Sequence, residues 1–255
     1  MLKKRDVNNF YENIVITHKV FKTVAKKNRV LEEKYYDENP ELKIEFQKKE
    51  IAEKLLPVIT NSSERYIISN INDNGVKVIA INLFLDIHKY DFTKHSSVPK
   101  NRESVLRDET TRYDLLSKIN LYNHTVYCAI SAIEICRKND IPQAITDLVI
   151  ILAILHDFGK HPEIFEKYKN KNDDLHNIVS SYYVKKIFRV YIGKDIHQDT
   201  YKQLIYTLYN HHKLPETTQK NINKSERDTL LINLLNKADY LAREKEQIFV
   251  EGQQV

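Results

Sequence analysis

Apolar positions recur three and four residues apart over most of the chain, which is the period of an amphipathic helix. In residues 11–36 the stripe Ile16, Val20, Phe21, Val24 and Leu31 predicts a helix. Residues 41–56 predict a second one, stopped at Pro57. The stretch RYIISNINDNGVKVIAINLFL, residues 65–85, reads differently. It is rich in β-branched side chains and has NDNG at 72–75 in its middle, so it predicts a β-hairpin. Residues 86–103 are polar and irregular and read as a linker. From about Leu115 the helical period returns and persists. Helices are expected at 115–137, 142–157, 174–192, 199–212 and 225–246, with breaks at RKND, GKHPE, IGKD and KLPETT. The expected fold class is mainly α: a helical bundle at 104–250, preceded at 1–103 by a small α+β part and linker. The chain shows no internal repeat and no low-complexity tract.

Composition supports this picture. Four glycines and six prolines in 255 residues leave little to interrupt helices, and 42% hydrophobic residues suffice for a folded core. Forty basic and 35 acidic side chains give a net charge of +5, which permits an anionic partner without requiring one. Met1–Phe10 is charged and no apolar core follows, so no secretory leader is expected. The longest apolar run, Leu148–Leu155, falls well short of the ~20 residues that cross a bilayer, so no membrane partner is expected. Cys128 and Cys136 lie eight apart on one predicted helix. At ~1.5 Å per residue they are too distant to bridge. They read as buried thiols, which places the protein in the cytoplasm.

The chemistry lies where the helical faces are interrupted. The face Leu121, Cys128, Ala132, Ile135 also contains His124. The apolar run before residue 156 ends in His156 and Asp157. His176 leads the face Ile178, Val179, Tyr182, Ile187. Leu204, Ile205 and Leu208 run into His211 and His212, and Leu230, Leu231, Leu234 and Leu235 run into Ala238 and Asp239. Each predicted C-terminal helix thus carries His or Asp on or beside its buried side. Buried ionisable groups are costly unless paired or bound to metal. Imidazoles and carboxylates suit a divalent transition ion. Neighbouring residues on a helix diverge by ~100°. The pairs His156–Asp157 and His211–His212 are therefore expected to address two adjacent ions, with a carboxylate suited to bridging them. His161 and His197 fall in polar breaks and read as surface residues.

The order His124 in LYNHTVYCA, His156–Asp157 in HDFGK, and Asp239 in LLNKADYLA resembles the H…HD…D motif of the HD-domain metal-dependent phosphohydrolases. With His176 in LHNIVSSYYV and NHH at 210–212, residues 115–246 are similar to the binuclear branch. That branch includes the CRISPR-associated HD nucleases and the HD-GYP phosphodiesterases. The resemblance implies a helical HD-domain bundle and two divalent metal ions: Mn, Fe, Ni or Co, with Mg and Zn also compatible. It implies His124, His156, Asp157 and Asp239 on the first ion, with Asp157 bridging, and His176, His211 and His212 on the second. It implies Asp157 and Lys160 as catalytic residues, Lys160 lying near the substrate phosphate. KLPETT follows His212 where a Gly-Tyr-Pro signature would stand, which argues against cyclic di-GMP. Asn120 stands where the phosphodiesterases often have Glu, so no third metal is expected. No helicase motor follows, so a nuclease here is expected to act alone or with a partner chain. RYDLLSKINLYNHT also looks loosely like the entry to the HD-type domain of some conjugative relaxases.

The expected activity is hydrolysis of a phosphoester by a metal-activated water, on nucleic acid such as single-stranded DNA or RNA. Two other readings stand beside it: a small-nucleotide phosphohydrolase, and a non-catalytic, metal-stabilised DNA- or partner-binding protein of a mobile element. Lys19, Lys22, Lys26 and Arg29 share one face of the first predicted helix, and residues 1–34 hold nine basic and four acidic side chains. A solvated helix face is the plainer reading of this stripe; a surface for phosphate backbones is the other.

Overall fold

The computed structural model describes residues 49–98, 116–170, 175–191, 198–212 and 226–252. The chain divides into two compact units, Met1–Lys54 and Leu55–Val255. The helix expected at 11–36, with its basic stripe, lies outside the described residues. Of the second expected helix, residues 49–55 are described and are helical. The larger unit runs through α1 (Ser62–Ser69), α2 (Asn74–Tyr90), α3 (Leu121–Lys138), α4 (Gln143–Leu155), α5 (Pro162–Tyr168), α6 (His176–Tyr191), α7 (Gln198–Asn210) and α8 (Glu226–Gly252).

The most apolar segment becomes the centre. From Leu148 to Leu155 no residue of α4 is more than 4% exposed, so this helix is covered on every side. α3 and α8 pack closely on each other and on α4, while α2 and α7 cover other faces of α4. α6 packs beside α7 and against the short turn Phe158–Lys160 that follows α4. The bundle thereby directs the C-terminal end of α4 toward α3, α6, α7 and α8, the helices that carry the remaining His and Asp residues.

No β-hairpin forms at 65–85. This stretch is the end of α1, a tight connection and most of α2, and the described residues contain no strand, only the isolated bridge Ser96–Asn120. The turn residues work as a helix cap. Asp73 is the N-cap of α2, and its side chain accepts the Val76 amide at 2.8 Å. The β-branched residues are there because α2 is buried: Val76, Ile79, Ala80, Leu83 and Ile87 recur at helical spacing inside the core. Tertiary burial outweighs their modest β preference. α5 was not expected either; it begins at Pro162, a residue suited to a first helical turn. Residues 86–90 complete α2. His95 and Ser97 are then fixed to the start of α3, through Leu121 N to His95 O at 2.7 Å and Ser97 N to Ile119 O at 2.9 Å.

The connection before α2 depends on Asp147. This carboxylate, buried within α4, accepts the Asn72 amide at 3.1 Å, the Asp73 amide at 2.9 Å and the Gln143 side chain at 2.6 Å. Asp147→Ala leaves these three donors without the buried acceptor that ties them to α4. The expected loss is about 1–3 kcal/mol, read in thermal denaturation as ~2–4 °C per kcal/mol for a domain of this size. An unchanged Tm would show that α2 is held by its apolar face alone.

Candidate metal centre

The centre is built at helix ends. Asn120 caps α3, its side chain accepting the Asn123 amide at 2.8 Å, and His124 follows one turn later, fully buried. His156 is the C-cap of α4 and the last residue with helical angles. Asp157 leaves the helix, with φ −105° and ψ 7°. The ~100° divergence expected of helical neighbours therefore does not apply, and both side chains turn to the same place. His211 and His212 likewise follow the last residue of α7, and their rings lie 4.0 Å apart. Each pair converges because its helix has ended.

Two packed residues hold α6 against this turn. Ser180 Oγ accepts the Gly159 amide at 2.8 Å and donates to the His156 carbonyl at 2.8 Å. A Cβ on Gly159 would meet the His176 carbonyl oxygen at 2.1 Å, so only glycine lets the turn approach the first residue of α6. Asn177 Nδ2 donates to Tyr209 O at 2.8 Å and fastens the start of α6 to the end of α7.

The seven residues singled out as ligands lie together in two neighbouring groups. In the first, His124 Nε2 is 3.3 Å from His156 Nε2, 3.1 Å from Asp157 Oδ2 and 3.2 Å from Asp239 Oδ1. In the second, His176, His211 and His212 place one nitrogen each within 4.8 Å of one another. His176 Nε2 is 2.9 Å from His212 Nε2. Asp157 faces both groups, because its Oδ1 is 3.3 Å from His176 Nε2. Lys160 Nζ donates to Asp157 Oδ2 at 2.6 Å. Exposure rises outward: His124, His156 and His211 are buried, the Asp239 side chain is 27% exposed, and His212 lies open to solvent. Lys19, Lys22, Lys26 and Arg29 fall outside the described residues. His161, expected at the surface, is fully buried, stacked on Phe92 and edge-on to His95.

The electrostatics are those of a donor set in want of a cation. Burial opposes the charged form of Asp157, yet the surrounding imidazoles and Lys160 hold its carboxyl well below the usual range. The same contest, won by His124 and His156, keeps Asp239 ionised. Burial and Arg243 push the His124 imidazole down, but Asp157, Asp239 and Glu246 outweigh them and raise it to about 9. Burial lowers His156 and His211 and brings His176 to about 4, so these three imidazoles are neutral at neutral pH. One His124 proton cannot serve the three acceptors that converge on Nε2, whereas a divalent ion takes four or more donors. Asp157 Oδ1, Asp239 Oδ1 and His211 Nε2 are buried without a hydrogen-bond partner. The residues therefore fit a divalent metal, and either group could hold one.

The sequence reading missed the supporting residues: Ser180, Arg243 and Glu246. Ser180 lies four residues after His176, and Glu246 seven after Asp239, so each shares a helix face with a candidate ligand. That spacing was the available signal.

Residues 121–244 match the family model of the HD domain. No curated protein and no solved structure gives a match to the chain. HD domains bind divalent metals and are typically metal-dependent hydrolases. Among the described residues, no helix is long and apolar enough to cross a membrane.

Gly159→Ala forces the 158–160 turn away from α6. The expected cost is about 1–3 kcal/mol of stability, as for an overpacked core, with weaker Zn²⁺ uptake by the His176 group. Thermal denaturation and equilibrium dialysis read the two effects. A variant with the wild-type Tm would mean that the turn can retreat without strain.

Proposed function

We propose that this chain belongs to the HD superfamily and is a phosphodiesterase with two metal ions that hydrolyses nucleic acid. The observation that carries the reading is Asp157, whose two carboxylate oxygens face separate groups of imidazoles, 3.1 Å from His124 and 3.3 Å from His176. A carboxylate so placed is suited to bridging two ions. In this reading His124, His156, Asp157 and Asp239 hold one ion, and Asp157, His176, His211 and His212 the other. The ions supply Lewis acidity toward a phosphoryl oxygen and activation of a water at neutral pH.

The chain's own residues supply the rest. Phosphate approaches from the side of Asp239 and His212, the more open members of the two groups. Lys160, 12% exposed and tied to Asp157, stands at the edge of the pair, where an ammonium stabilises charge that builds on the phosphoryl oxygens. Nucleic acid is favoured over a mononucleotide by the net charge of +5 and the basic stripe Lys19, Lys22, Lys26 and Arg29. Cys128 and Cys136 are free and buried, which fits a reducing compartment, and we place the protein in the cytoplasm.

With Mn²⁺, the wild type is expected to cleave end-labelled single-stranded DNA, and Asp157→Ala to cleave none. Lys160→Met should keep its metal and lose roughly 10²–10³ in kcat. Turnover of mononucleotides but not polymers would replace the substrate class. Salt-sensitive DNA binding without turnover would make the protein a metal-stabilised binding module.

A further inference from the structure

Besides the candidate ligands, one fully buried carboxylate touches the centre. Glu246, on α8 two turns after Asp239, is 0% exposed. Its Oε1 lies 2.7 Å from His124 Nδ1, and its Oε2 accepts Arg243 Nη1 at 2.9 Å. The same Arg243 nitrogen donates to Ser97 Oγ at 2.8 Å. A carboxylate only accepts, so His124 Nδ1 carries the proton between them.

Two other buried imidazoles of the centre, His156 and His211, orient themselves locally. His156 Nδ1 donates to Ala153 O and His211 Nδ1 to Leu208 O, each at 2.8 Å and three residues back in its own helix. His124 differs. The carbonyl three residues before it, Leu121 O, receives the Thr125 hydroxyl at 2.9 Å, and the acceptor for His124 comes from another helix. A neutral imidazole with no acceptor at Nδ1 can carry its proton on either nitrogen, and only the bare one ligates.

We infer that Glu246 is a positioning residue: by holding the Nδ1 proton of His124 it leaves Nε2 as the nitrogen that gives up its proton and turns its lone pair to the point shared by His156, Asp157 and Asp239 when an ion binds. This rests on the reading of that group as a metal site. Arg243 and Ser97 hold Glu246 in turn, so α8 and the segment before α3 jointly fix a ligand on α3. Ligand-orienting carboxylates of this kind are worth about 10–100-fold in metal affinity.

Glu246→Gln preserves volume but cannot serve both neighbours. If its oxygen faces His124, its amide confronts Arg243, a donor; if it flips, the amide faces His124 Nδ1 and favours the tautomer protonated at Nε2. The measurement is Zn²⁺ affinity by competition with a chromophoric chelator, in a His211→Ala background so that the first group is read. Glu246→Gln should bind Zn²⁺ about 10–100-fold more weakly than its parent, measured well below the metal-free Tm, which also falls because Arg243 loses its buried charged partner. Glu246→Asp, which keeps the charge but is one methylene short, should lose affinity too, and it carries the test if the Gln variant fails to fold. Parental affinity in both variants overturns the role of Glu246 alone, as does a fall in Tm with affinity unchanged. A wild type and parent that take up no Zn²⁺ overturn the metal reading and this inference with it.

Discussion

The structure turns on one buried carboxylate. Asp157 is 1% exposed and has left the α-helix that delivers it, so it is held by neither solvent nor helix geometry. An isolated charge so placed would cost several kcal/mol. It is tolerated because imidazoles from α3, α4 and α6 and the ammonium of Lys160 surround it. His124 and His156 are buried for the same reason, since each faces a carboxylate or another ring. The groups justify one another's burial, and removal of any one leaves the rest uncompensated.

Such a cluster demands close backbone approach, which explains the small and polar residues around it. Gly159 lets the turn after α4 meet α6, and Ser180 satisfies both an amide and a carbonyl at that contact. Asp147 and Asp73, at the far end of the bundle, bring the start of α2 against α4. A central helix apolar on all faces can be covered by several others only if such buried polar contacts are satisfied.

The C-terminal helices were legible in the sequence because their apolar residues repeat at helical period, and the candidate ligands were legible because they interrupt that repeat. What misled was the stretch 65–85. α2 is buried over much of its length, so its helical period is blurred by further apolar residues such as Ile81, Phe84 and Leu85, and Asp73 reads equally as a turn residue or an N-cap. His161 misled differently: it lies in a polar segment, yet the end of α2 and Phe92 fold over it. Glu246 went unread because a glutamate in a charged stretch, AREKEQ, carries no local mark of burial. Its partner is 122 residues away, and only the packing of α8 on α3 brings the two together.

The two groups of imidazoles are not equivalent. In the first, His124 and His156 are buried and each has its Nδ1 engaged, one by Glu246 and the other by Ala153 O. In the second, His211 is pinned in the same way, His176 opens the first turn of α6 with its Nε2 2.9 Å from that of His212, and His212 faces solvent. Burial is therefore deepest at His124, His156 and His211 and shallowest where Asp239 and His212 meet water. Asp157 spans the boundary between the two groups, one oxygen toward His124 and the other toward His176, so the same buried charge faces both.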